Sequence, residues 1–400
     1  MASILNEYLS KRWGVPELKN ELKRLIDEYN KSTGRNLFIY AADFNKGRRG
    51  IDVSLMQDDF YTIADILRES DKKQIDVYIE TPGGSGESAE EIARFLRNKF
   101  DVVNFVIAGE AKSAGTILAL SGDNLYMCET GSLGPIDAQI KIGRSVVSAH
   151  DYKAWVDEKR NEAVKSGRLN PFDAIMIGQI SPGEISGVIN SLEFAKDLVK
   201  NWLEIYKFKN WDITETRHAP VTPKMKKQRA EEVANILCNH TNWRTHGRSL
   251  KIDDLKEDLQ IEDIDANPQL ADIVYRIKTV IRLIFDTSTD YKLYFWEDFQ
   301  MTRTVTIVNA NPPISMPISN KDNAIDHAVL NVTCLKCGKK HEIPGYFDID
   351  SNKIKQLKLP INNKVQDNDV LICNGCNSTI DLKPLKNQIE TQSKRKITFK

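Results

Sequence analysis

From Asn36 to about Trp211 the chain alternates short apolar runs with amphipathic helical stretches, and that alternation leaves few folds open. NLFIYAAD, IDVYIET, NFVIAGEA and NLYMCE read as strands. Between them Phe60, Ile63, Ala64 and Leu67 recur at helical spacing, as do Ala89, Ile92, Ala93 and Leu96. Two more helices are expected near 149–165 and 186–206. Strands separated by helices pair in parallel and bury both faces of their sheet, so the class is α/β.

Bulk properties exclude little. The 400 residues exceed the roughly 250–300 that one core supports, so more than one domain is expected. Lys plus Arg balance Asp plus Glu at 56 each, which gives no global pull toward nucleic acid or membrane. No apolar run reaches the roughly 18 residues of a membrane span. The start of the chain, MASILNEYLSKRWGVPELKNELKRL, has no signal-peptide core, so a cytoplasmic protein is expected.

Two strand-to-helix junctions carry the chemistry. Thr81-Pro82-Gly83-Gly84-Ser85-Gly86 puts adjacent glycines after a strand, where backbone N–H groups can face a ligand without a Cβ in the way. Alone, such a pair is a tight turn. Ala111-Lys112-Ser113-Ala114-Gly115-Thr116 puts a serine at a helix start. Alone, that serine is an N-cap. In a parallel sheet both loops end at the same edge, where α/β proteins place their sites. The N–H groups of Gly84 and Ala114 would then face one carbonyl oxygen that Ser113 could attack.

At these residues the sequence resembles the serine dehydrogenase proteinase family. The resembling segments are IDVYIETPGGSGESAEEIARFLR and VIAGEAKSAGTILALSGDNLYMCETGSLGPIDAQI. The likeness continues through EISGVINSLEFAKDLVKNWL and, more faintly, AEEVANILCNHTNWRTHGRSL, over roughly residues 36–290. That family is related to signal peptide peptidase A and the Clp protease proteolytic subunit. The resemblance implies a ClpP/crotonase-like repeated β-β-α core and serine peptidase activity. It implies Ser113 as nucleophile, with Gly83, Gly84 and Ala114 around an oxyanion hole. It also implies a peptide or protein substrate and a homo-oligomer.

The base must be found separately. Clp-type members use His and Asp; signal peptide peptidase members use Lys. GSLGPID carries no His where a Clp-type site would have one, and Asp137 lies about there instead, read as a loop-holding residue. A Ser-Lys dyad is therefore expected. On the helix 149–165, Tyr152, Trp155, Val156 and Ala163 form an apolar stripe with Lys159 at its middle. Desolvation there would lower its pKa and let a neutral amine take the serine proton. The bland alternative is a stem covering apolar surface while the amine reaches water. Lys153 falls on the polar side, Lys165 is the runner-up, and His150 comes third. Lys112 is expected to point away from the site.

Cys334-x-x-Cys337 and Cys373-x-x-Cys376 have the spacing of two metal knuckles. Four thiolates make a closed tetrahedral site suited to structural Zn²⁺, in a small zinc ribbon. His341 is an alternate ligand. Lysines around the ribbon, among them Lys336, Lys339, Lys340, Lys353, Lys355 and Lys358, read as solvated surface; nucleic-acid binding there has no stacking motif behind it.

The expected organisation is a helical arm at 1–33, a peptidase domain at 34–211 and a helical extension at 212–310. A linker at 311–327, the ribbon at 328–386 and a disordered basic tail at 387–400 follow. Two other readings of the fold remain open: a catalytically silent scaffold binding protein or nucleic acid, and a crotonase-like acyl-CoA enzyme.

Overall fold

The protein is described from a computed structural model, which divides into two units, residues 1–305 and 306–400. The structure describes all residues except 1–2, 49, 137, 143–144, 215–217, 239–242, 306–326, 335–336, 338, 349–364, 367–368 and 400.

The first unit is built on β1 (Leu37–Ala42), β2 (Gln74–Glu80), β3 (Val102–Ile107), β4 (Glu110–Ala111) and β5 (Asn124–Met127). They are followed by β6 (Ser132–Leu133), β7 (Gln139–Ile142), β8 (Ser145–Ser148), β9 (Glu262–Asp263), β10 (Asp290–Trp296) and β11 (Phe299–Thr304). The main sheet has the order β11-β10-β1-β2-β3-β5-β9. The strands from β1 to β9 run parallel, and β10 and β11 add an antiparallel edge.

Side chains alternate across this sheet as a pleated strand requires. Phe38, Tyr40, Val77, Ile79, Phe105 and Ile107 face one side, under the helices Gln57–Leu67, Gly86–Lys99 and Pro182–Trp202. Leu37, Ile39, Ala41, Tyr78 and Val106 face the other, under Val15–Thr33 and Pro268–Thr287. Each buried Leu or Ile contributes about 1.5–3 kcal/mol, so neither face could be left bare.

The arm residues Leu18, Leu22, Leu25, Ile26 and Tyr29 are all buried on that second face. Of the expected extension, residues 212–305 do not stand apart either. Their long helix packs on the arm, and β10 pairs with β1, so both ends of the first unit complete one sheet.

Past the ends of β2, β3 and β5 the chain adds short second strands. Thr81 bridges Ala111, β4 pairs in parallel with β6, and Leu133 bridges Leu250. These are the repeated β-β-α units. A hairpin, β7–β8, then leads into the helix Ala149–Ser166.

The second unit pairs His327–Thr333 with Lys340–Phe347, and the latter with Ile397–Phe399. The expected disordered tail is therefore folded up to Phe399. Ile397 and Phe399 are buried with Leu330, Ile343 and Leu371, because alternation sends both onto the apolar face despite the basic residues before them. The expected linker lies almost wholly outside the described residues. No described helix is long and apolar enough to cross a membrane.

A buried ion pair ties β10 to the helix Gln57–Leu67. The Lys292 amine lies 2.9 and 2.7 Å from the two oxygens of the fully buried Asp59 carboxylate, which also accepts the Tyr294 hydroxyl and the Met56 N–H. Lys292→Met leaves that carboxylate without its counter-charge. Urea titration should show a loss of about 3–5 kcal/mol. Removing the surface pair Arg94–Glu90 should change stability by less than about 1 kcal/mol.

Candidate active site

Ser113 sits between β4 and the helix Ala114–Ala119, with φ 50° and ψ −116°. A non-glycine residue held there costs on the order of 1–3 kcal/mol and persists only where its surroundings enforce it. They do. Lys112 N–H donates to Thr81 O at 3.0 Å and Gly115 N–H to Lys112 O at 2.8 Å. The Thr116 hydroxyl lies 2.7 Å from Ala111 O and 3.1 Å from Gly134 O, and accepts Gly134 N–H at 2.9 Å. The Ser113 side chain makes no cap hydrogen bond to its helix. The ordinary reason for a serine in this place is therefore missing.

The glycine loop lies against this turn. Gly83 has φ 100°, and a Cβ on it would stand 2.7 Å from both Lys112 O and Ser113 Cβ. Gly84 has φ 153°, and a Cβ there would meet Leu55 O at 2.3 Å. Leu55 takes up the flanking groups: its N–H donates to Gly83 O at 2.7 Å, and its carbonyl accepts Ser85 N–H at 2.9 Å. Gly83 N–H reaches the Thr81 hydroxyl at 3.3 Å. Among the described residues, neither Gly84 N–H nor Ala114 N–H has an acceptor. Of the three expected oxyanion residues, Gly83 thus provides close approach, while Gly84 and Ala114 offer donors.

Ser113, Gly83, Gly84 and Ala114 line one cavity of about 620 Å³. Ile117, Ile136, Phe194 and Ala195 supply apolar wall, and Ser54, Asn190 and Gln139 polar wall.

Lys159 is not on that wall. Its amine lies 3.0 Å from Asp173, 3.2 Å from Glu162 and 3.4 Å from Glu158. The hydrogen bond to Asp173, then that to Glu162, holds its pKa above the ordinary lysine value. This is the opposite of the expected desolvation shift, and in this conformation the amine stays a cation. The apolar stripe was real as a pattern, but Tyr152, Trp155 and Val156 are only half-buried. Asp173 comes from the helix Pro171–Ile177, which the periodicity had not revealed. Lys165 is exposed, and His150 Nδ1 lies 3.5 Å from Asp151; neither lines the cavity. Asp137 lies outside the described residues.

Lys112 does turn away from the cavity, and it has work there. Its buried amine donates to Leu133 O at 3.1 Å, Arg248 O at 3.2 Å and Ser249 Oγ at 2.8 Å. Burial pushes its pKa down, against the pull of Glu110. The segment it grips brings His246 to the cavity wall, a residue to which the sequence assigned no role. The stretch HTNWRTHGRSL was visible, but nothing local ties it to Ser113.

In the second unit Cys334, Cys337, Cys373 and Cys376 converge, their sulfurs all within 4.8 Å of one another. Cys334–Cys376 is 3.6 Å and Cys337–Cys373 is 3.5 Å. Metal–sulfur bonds of ~2.3 Å in a tetrahedron require sulfurs about 3.8 Å apart, so the four fit a metal ion. His341 Nε2 stands 3.3 Å from Cys373 Sγ, and Ser378 Oγ is 3.2 and 3.0 Å from Cys334 and Cys376. These groups suit support of the ligands from outside the metal's shell. Lys339 and Lys340 are exposed; Lys336, Lys353, Lys355 and Lys358 lie outside the described residues.

A doubly covered parallel sheet, with a strained serine at its edge and a glycine loop beside it, is a ClpP-like fold. Residues 53–165 match the model of the ClpP-like SDH-type serine proteinase family. Two uncharacterized proteins of Methanocaldococcus jannaschii are 38% and 36% identical over 68 and 66 residues, or 17% and 16% of this chain and 24% and 23% of theirs. The membrane protein NfeD1b of Bacillus subtilis is 36% identical over 93 residues, 22% of this chain and 20% of that protein. The matched stretch thus spans about a quarter of these relatives or less. Two solved mutants of the 1510-N membrane-bound stomatin-specific protease, one with a substrate peptide, align at 13% identity and a TM-score of 0.31. They cover 52% of this chain and 74% and 70% of theirs.

Gly83→Ala tests the close packing of the two loops. The added methyl must displace Ser113, and a shift of that kind costs about 10²-fold in rate. Reaction of Ser113 with a fluorophosphonate should fall by that factor, with the melting temperature read alongside.

Proposed function

We propose that this chain is a serine peptidase in which Ser113 attacks a peptide carbonyl. The observation that carries the reading is the turn at Ser113: a strained serine that caps nothing, opening on a cavity beside two unengaged backbone donors. Gly84 N–H and Ala114 N–H would hold the oxyanion as the Ser113 Oγ–C bond forms. The cavity walls suit an extended peptide whose side chains meet Ile117, Ile136 and Phe194. Lys159 could serve as base only after leaving Asp173 and Glu162. The family resemblance implies a homo-oligomer, which light scattering would test.

Ser113→Ala should abolish fluorophosphonate labelling and lower peptide hydrolysis by at least about 10³-fold, with an unchanged melting temperature. Full hydrolysis by that variant would sink the reading. A wild-type chain that never labels would favour a silent scaffold. Lys159→Ala that labels as fast as wild type would remove the Ser-Lys dyad.

We further propose that the four cysteines hold one structural Zn²⁺. Thiolate ligands suit zinc, and with four of them no position is left for a substrate. The core of the second unit is small, so the metal would supply much of its folding energy. Metal analysis should find about one zinc per chain. Cys373→Ser or a chelator should remove it and unfold residues 327–399 by amide exchange, leaving Ser113 labelling intact. Full protection of that unit after zinc loss would refute the structural role.

A further inference from the structure

We propose that His246 is the general base for Ser113. The proposal rests on reading Ser113 as the nucleophile.

Among the described side chains lining the cavity, only His246 and Glu87 are an imidazole or a carboxylate. Glu87 accepts the Ser85 hydroxyl at 2.8 Å on the first turn of its helix. An imidazole is the side chain suited to take a proton and return it near neutral pH.

His246 is also held by the same framework that strains Ser113. Leu250 and Leu133 exchange two backbone hydrogen bonds of 3.0 Å. Thr116 joins the next residue, Gly134, to the nucleophile's helix. Lys112, the residue before Ser113, grips Arg248 O and Ser249 Oγ. Arg248 N–H closes the turn over His246 onto Thr245 O at 3.2 Å, and the Arg248 guanidinium stacks over Trp243 at 5.4 Å. Trp243 Nε1 donates to Ile236 O at 2.8 Å. The imidazole therefore reaches the cavity from a turn fixed on both flanks. Lys159 lies away from that wall, paired with three carboxylates.

The step balances. As Ser113 Oγ bonds to the carbonyl carbon, its proton passes to the neutral imidazole. The imidazolium gives that proton to the leaving amine as the C–N bond breaks. Water then loses a proton to the imidazole as it attacks the acyl-enzyme, and the proton returns to Ser113 Oγ on release of the acid.

The test uses the full chain and the rate of fluorophosphonate labelling, with Ser113→Ala as the unlabelled control. His246→Ala and His246→Gln should label about 10²–10⁴-fold more slowly with unchanged melting temperatures. Added imidazole should speed His246→Ala but not wild type, a response that a merely structural histidine would not give. A folded His246 variant that labels at the wild-type rate, or is slowed without responding to imidazole, overturns the proposal. If wild type labels and both variants do too, the base is wrong and the nucleophile stands. If wild type does not label, the nucleophile falls and the base with it.

Discussion

The cavity depends on the short parallel ribbon between Thr81 and Ala111. Thr81 N–H donates to Glu110 O at 2.8 Å, and Lys112 N–H donates back to Thr81 O at 3.0 Å. These two bonds set the glycine loop against the serine turn. Only then does the missing Cβ at Gly83 matter, and only then do Gly84 and Ala114, from two separate loops, line one cavity. The strain at Ser113 persists because Thr116 and Lys112 tie the turn to elements on either side.

Polar groups inside the first unit are arranged by the same logic. Asp76 is fully buried, yet it accepts the Tyr29 hydroxyl at 2.5 Å, Arg35 Nε at 2.6 Å and Asn104 Nδ2 at 2.8 Å. Asp59 and Lys292 satisfy one another on the antiparallel edge. Such pairs stabilise little in total but are expensive to break singly, so they hold together elements far apart in sequence. Lys112 belongs with them: its three acceptors come from the last residue of β6 and from the 248–249 segment.

The second unit follows a different principle. Its apolar cluster is small, and four sulfurs gather where a core of that size would otherwise be weakest. Among the described residues, short antiparallel strands and the helix Lys383–Ser393 surround a cysteine cluster close enough to hold a metal ion.

The strands, the covering helices, the glycine loop, Ser113 and the paired knuckles were legible because each depends on residues within a few positions of one another. The apolar stripe around Lys159 was legible too, but the desolvation shift expected there does not occur. Its amine is decided by Asp173, which a separate helix brings to 3.0 Å. The tail was misread because charge before Ile397 hid an alternation that only pairing with Lys340–Phe347 makes decisive. His246 reaches the serine's cavity through Leu250, Leu133 and Lys112, contacts that span long stretches of chain. Local pattern alone thus determined which turn would set a serine beside the glycine loop and which thiols would meet. Tertiary packing decided which basic group stands at the cavity and which is locked in an ion pair, because a charge takes its state from neighbours that sequence spacing does not reveal.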